Sequence, residues 1–261
     1  MENIIPITEN IYRTTLPYKD IFTTVVFIKT EEGTVIFDSA SFDNDAADYI
    51  VPAMEALGIR NDPVKYIFIS HPHSDHIGGL PGLLPFFPNA QVVSCSLEIE
   101  EQFGAIIAKD GDLLAGCLQV VLIPGHTQEC AGLLDLRTNT LITGDCLQLY
   151  GLYGSGKWGA CIGLPAQYMA ALDKLAAMNI DTIVMSHAYH PCGWIAQGED
   201  QIKLCLQACR DALYRIKEVL CANPQLSDKE IVALCNENSG LPTVPRYVVT
   251  GIRGDMAAGR F

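Results

Sequence analysis

Four residues able to hold a metal stand within six positions, His71-Pro72-His73-Ser74-Asp75-His76, immediately after the apolar run Val64-Lys65-Tyr66-Ile67-Phe68-Ile69-Ser70. The run reads as a buried strand, and Ile77-Gly78-Gly79-Leu80 after the cluster is where a helix can begin. The donors therefore sit at the C-terminal end of a strand. Such a density of imidazole and carboxylate is hard to explain as packing, and a polar turn that merely happens to contain histidines is the weaker reading.

Pro72 disfavours a helical conformation at His71, so the cluster is expected to start extended, with side chains two apart pointing the same way. His71, His73 and Asp75 would then share a face. His76, carried round as the chain turns into the helix, would face a neighbouring direction, so that one short segment serves two adjacent metals. These donors suit zinc and also admit iron, manganese or nickel.

Further candidates follow other apolar strands. His126 comes after Val120-Val121-Leu122-Ile123-Pro124-Gly125, Asp145 after Leu141-Ile142-Thr143-Gly144, and His187 after Asp181-Thr182-Ile183-Val184-Met185-Ser186. A glycine before His126 and before Asp145 gives the backbone freedom for a tight turn. Four strand ends converging on one edge would assemble one site, which would use five of the six histidines. His190 is the sixth. His187 is preferred over it because it directly follows the strand, leaving His190 as a substrate contact or a surface residue.

The chain begins as strands (Ile4 to Tyr12, Phe22 to Ile28, Thr34 to Asp38), followed by a helix from Asn44 to Leu57 that Gly58 stops. Short strands at Gln91 to Ser94, Leu118 to Ile123, Ala131 to Leu136 and Thr140 to Thr143 and a helix from Ala166 to Met178 make up a second half. From Asp200 to Cys221 the apolar positions Ile202, Leu206, Cys209, Leu213, Ile216 and Leu220 form one helical stripe. Ser227-Asp228-Lys229-Glu230 has the spacing of a capping box. We read residues 1–197 as the main α/β domain and residues 198–261 as a helical C-terminal appendage packed on it.

At 261 residues and 49% hydrophobic content the chain can bury a sizeable core. A formal charge of −13 argues against a nucleic-acid partner. No apolar stretch suits a membrane span, and the N-terminus lacks a basic region and an apolar signal core, so a cytoplasmic location is expected. The ten cysteines are scattered without a Cys-x-x-Cys pair and read as small apolar residues, Cys146 beside Asp145 included.

His-x-His-x-Asp-His, Gly-His-Thr, Thr-Gly-Asp and a last histidine after a strand, in this order, resemble the metallo-beta-lactamase superfamily over about residues 4–190; the pattern is nearest its broader hydrolase branches, glyoxalase II-like and lactonase-like, and assigns no subfamily. The resemblance implies a four-layer αββα sandwich, with His71, His73 and His126 on a first metal, Asp75, His76 and His187 on a second, and Asp145 bridging. Asp38 corresponds to an acid that orients a ligand imidazole. Two divalent metals, most simply zinc, set against Asp75, Asp145 and a bridging hydroxide leave the site formally about +1, which favours anionic or carbonyl substrates. In such a site hydroxide attacks an ester, thioester, lactone or related bond, and Asp75 would help to orient it.

Between Tyr150 and Gly159 the glycines suit a loop from which Tyr153, Lys157 and Trp158 could cover a substrate, against the plainer reading of a surface loop. A metal-dependent hydrolase of a small molecule is therefore the leading expectation. The alternatives are a mononuclear iron sulfur oxygenase acting on persulfides and a metal-binding regulatory protein with weak turnover. A di-iron flavoprotein is disfavoured by His73, where that type carries glutamate. Nuclease and beta-lactamase activities are disfavoured by the lack of a basic surface and of an export signal. The expected partner is a small molecule, with nucleic acid and membrane excluded and homo-oligomerisation open.

Overall fold

Two-residue turns close antiparallel hairpins, whereas a longer crossover is needed before two strands can pair in parallel. Both occur in the first sheet. Strands β1 (Ile4–Pro6), β2 (Ile11–Tyr18), β3 (Ile21–Thr30) and β4 (Gly33–Phe37) pair antiparallel in sequence order. After Phe37 the chain makes a helical excursion ending in α1 (Val51–Ala56) and returns as β5 (Val64–Ile69), parallel to β4. The computed structural model describes residues 4–153, 159–237 and 244–261. They divide into two units, residues 4–122 with Ala131–Thr138, and Ile123–Cys130 with the described residues from Asn139 to Phe261.

The first unit continues from β5 through two single-turn helices, α2 (Ser74–Ile77) and α3 (Leu80–Leu83), to β6 (Gln91–Ser94), α4 (Leu97–Phe103) and β7 (Ile106–Ile107), completing a seven-stranded mixed sheet in the order β1 to β7. Strand β3 is buried almost without a break, the pattern of a strand covered on both faces. Its Val25 and Phe27 join Ile36, Ile50, Met54, Ile67, Ile69 and Leu80 in one cluster, each fully buried side chain contributing about 1.5–3 kcal/mol. Strands β8 (Leu113–Leu114), β9 (Leu118–Leu122) and β10 (Ala131–Asp135) add an antiparallel meander.

The helix expected from Asn44 to Leu57 is present but changes pitch. Ala46–Ile50 forms a π-helical turn, and α-helical bonding starts only at Val51. Pro52 supplies the cause: it has no N–H to give to the carbonyl of Asp48, and its ring crowds that carbonyl, so the preceding turn widens. Gly58, at φ 72°, ends the segment as the sequence predicts.

In the second unit β11 (Thr140–Gly144) is joined through α5 (Pro165–Ala176) to β12 (Thr182–Tyr189), which lies parallel to β11, and β13 (Gly193–Gln197) returns antiparallel beside β12. Helix α6 (Glu199–Ala222) packs on β13 and α5, and α7 (Asp228–Glu237) and α8 (Arg246–Ala257) pack on α6. All six apolar stripe residues of α6 are buried, as the helical spacing requires. Among the described residues no helix is long and apolar enough to cross a membrane.

Candidate metal centre

In the first unit, parallel pairing of β4 with β5 brings two chain ends side by side, Asp38 beyond Phe37 and Ser70 beyond Ile69. Asp38 holds a left-handed backbone (φ 62°), a conformation aspartate tolerates better than most residues. Its buried carboxylate collects three donors. Oδ1 accepts Ser70 N–H at 2.8 Å, and Oδ2 accepts Ser70 Oγ–H at 3.0 Å and His76 Nδ1–H at 2.7 Å. Because the serine's one proton goes to Asp38, Ser70 Oγ must accept at its 3.0 Å contact with His71 Nδ1. Both imidazoles are thereby fixed as Nδ1–H tautomers whose Nε2 lone pairs are available to a metal.

The extended segment ends sooner than strict alternation assumes. His73 is still extended (ψ 147°), but helix α2 begins at Ser74, so Asp75 is carried round with His76. The Asp75 carboxylate lies 3.5 Å from His76 Nε2, while the His71 ring packs on both His76 (4.3 Å between centroids) and His73 (4.7 Å). Ligand atoms of His71 and His73, and those of Asp75 and His76, lie within 4.8 Å of each other. The turn is locked from beneath: Ser39 donates N–H and Oγ–H to the His76 carbonyl, both at 2.8 Å. A Cβ at Gly79 would sit 2.0 Å from the Ser39 carbonyl, so only glycine allows the approach.

In the second unit, Gly125 takes φ 148° because the Tyr168 ring fills the space where its Cβ would stand, 2.4 Å from Cδ2. That turn presents His126, whose Nδ1–H is donated to the Cys161 carbonyl, again leaving Nε2 as the acceptor. Asp145 leaves β11 directly after Gly144. Its two oxygens face different imidazoles: Oδ2 lies 3.9 Å from His126 Nε2, and Oδ1 lies 3.2 Å from His187 Nε2. Tyr189 donates to Oδ1 as well, at 2.9 Å. His187 does not follow its strand, as the sequence suggested, but lies within it. The pairing of β12 with β13 shifts register between Val184 and Tyr189, so the strand bulges where His187 is presented.

The remaining candidates divide. His190 stacks on Tyr153 at 3.6 Å between ring centroids, and Tyr153 also donates its hydroxyl to the Pro191 carbonyl at 3.4 Å. The structure thus pairs these two with each other. Lys157 and Trp158 lie outside the described residues. Sequence reasoning passed over Ser70, Gln148, Cys161, Tyr168 and Tyr189. Of these only Tyr189 carried a signal, its position two residues beyond His187 on the same face of a strand. Burial, with Cys209 alongside, pushes the Tyr168 phenol well above its ordinary range and keeps it protonated.

Residues 18–94 match the family described as the metallo-beta-lactamase superfamily. A hydroxyacylglutathione hydrolase from Aeromonas hydrophila is 30% identical over 53% of this chain and 53% of its own length. A protein of the same name from Tolumonas auensis is 27% identical over 76% of this chain and 69% of its own. The chain thus spans little more than half of the Aeromonas relative. A metallo-beta-lactamase family protein from Thermus thermophilus, at 16% identity, shares the fold with a TM-score of 0.70 over 97% of this chain and 95% of its own. The architecture is the αββα fold of that class, with a helical C-terminal region.

Proposed function

We propose that this protein is a dinuclear metal-dependent hydrolase. His71, His73 and His126 would hold one metal, Asp75, His76 and His187 the other, and Asp145 would bridge them. The observation that carries the reading is Asp145, whose two carboxylate oxygens turn toward imidazoles assigned to different metals. The donor set fits divalent ions, since three histidines commit Nδ1–H to protein acceptors and keep Nε2 for coordination. When bound, the metals would supply a water of lowered pKa and a Lewis acid for the substrate carbonyl. Asp75 would orient the attacking water, and Asp38 would hold His76 directly and His71 through Ser70. Zinc is the metal these imidazoles and carboxylates suit best.

A small ester, thioester or lactone is the substrate class we propose, with a thioester favoured because relatives carry the name hydroxyacylglutathione hydrolase. The reading includes a cytoplasmic location, supported by ten cysteines of which none forms a disulfide and five are buried. Metal analysis of the purified protein should find two ions per chain, and chelation should abolish turnover across a thioester and lactone panel. His73→Ala should lower kcat at least about 100-fold with the circular dichroism spectrum unchanged. Full turnover by metal-free protein would overturn the proposal. Oxygen uptake with a persulfide, without hydrolysis, would replace it with sulfur oxygenation.

A further inference from the structure

Within the second unit one buried side chain reaches the supports of both His126 and Asp145. Gln148 is 2% exposed. Its carboxamide oxygen accepts Cys161 N–H at 3.0 Å, and the carbonyl of that same Cys161 takes the Nδ1–H of His126. Its amide nitrogen donates to the main-chain carbonyl of Asp145 and to the Tyr189 hydroxyl, both at 2.9 Å. That hydroxyl passes its own proton to Asp145 Oδ1 at 2.9 Å. The orientation of the amide is dictated by its partners, since a backbone N–H requires the oxygen and a backbone carbonyl requires the NH2.

Gln148 is itself fixed at both ends of its backbone. Its N–H donates to the Tyr168 hydroxyl at 2.6 Å, and the hydroxyl donates back to the Gln148 carbonyl at 2.9 Å. The same tyrosine lies against Gly125, the residue that aims His126. Tyr168 and Gln148 therefore brace the turn before His126, the carbonyl that holds its ring, and the carboxylate facing it.

We infer that Gln148 is a positioning residue that sets the placement of His126 relative to Asp145, and through it the affinity for metal. The inference rests on the assignment of His126 and Asp145 as ligands. Supports of this kind change metal affinity by roughly 10–100-fold when removed, because a ligand free to rotate loses its preorganisation. A residue that only filled space would instead change folding stability and leave metal affinity alone.

Cobalt(II) serves as the probe, titrated into metal-free full-length protein against a competing chelator and followed by its visible d–d absorption. Gln148→Met keeps the volume and removes all three side-chain hydrogen bonds, while Tyr189→Phe removes only the hydroxyl linking Gln148 to Asp145. Each should weaken cobalt binding, by roughly 10–100-fold for Gln148→Met, and alter the d–d bands. The double variant should lose less than the two losses combined, since both act through one chain of hydrogen bonds. Melting of the metal-free proteins separates this from loss of fold, and if Gln148→Met does not fold, Tyr189→Phe decides. Wild-type affinity and spectrum in the variants would overturn the inference alone. Failure of the wild type to bind cobalt would overturn the metal assignment and the inference with it.

Discussion

Asp38 concentrates more consequence than any other single side chain in the first unit. Its carboxylate only accepts, and it faces three donors, so an amide in its place must oppose one N–H or O–H with another whichever way it turns. Asp38→Asn should therefore free the His76 ring and weaken metal binding by roughly 10–100-fold, measured by chelator competition. It should also destabilise the metal-free protein by about 1–3 kcal/mol, the cost of a buried unsatisfied group, measured by urea unfolding. At this scale the metal-ligand candidates were legible because they cluster, follow apolar strands or, for His187, sit near the end of one. Ser70, Gln148 and Tyr168 were not, because a partner 20 or 32 residues away leaves no mark on local pattern.

Among the elements, helix α6 was readable to within a residue at each end, since its apolar stripe is regular and long. Helix α8 was not readable. Its sequence, RYVVTGIRGDMA, contains two glycines and four β-branched residues, a poor helix former by intrinsic propensity. Packing overrides propensity there: Val248, Val249 and Ile252 are buried, and Gly251 lets the helix approach Pro165, which a Cβ would meet at 3.0 Å. The capping box is realised, with Ser227 N–H and Oγ–H both donating to Glu230 Oε2 at 2.8 and 2.7 Å. Ser227→Ala should cost about 1 kcal/mol in chemical denaturation. The next residue clasps α7 to α8: Asp228 accepts from Thr250 at 2.6 Å and from Arg253 at 2.7 Å. The Thr250 hydrogen bond, followed by that from Arg253, lowers the Asp228 pKa below the ordinary 3.8. A lowered folded-state pKa stabilises above the unfolded value and loses that contribution as pH falls through the folded one. Asp228→Asn should accordingly flatten the stability profile below about pH 4, followed as urea midpoint against pH.

For the molecule as a whole, metal is expected to act as a folding ligand as well as a catalyst. At a free concentration 100 times its dissociation constant, an ion that binds only the folded chain adds about 2.7 kcal/mol, so chelation should lower the melting temperature and excess zinc restore it. The hexapeptide at residues 71–76 qualifies that expectation. Its four donors are neighbours along the covalent chain, and denaturation does not separate them, whereas His126, Asp145 and His187 are spread over 62 positions. The unfolded chain therefore keeps a multidentate chelator of its own. On the proposed site, metal would be a ligand of both sides of the folding equilibrium, so the gain in melting temperature should fall short of what the native affinity alone would give, and refolding should be cleaner when metal is added after the chain has collapsed than when it is present from the start.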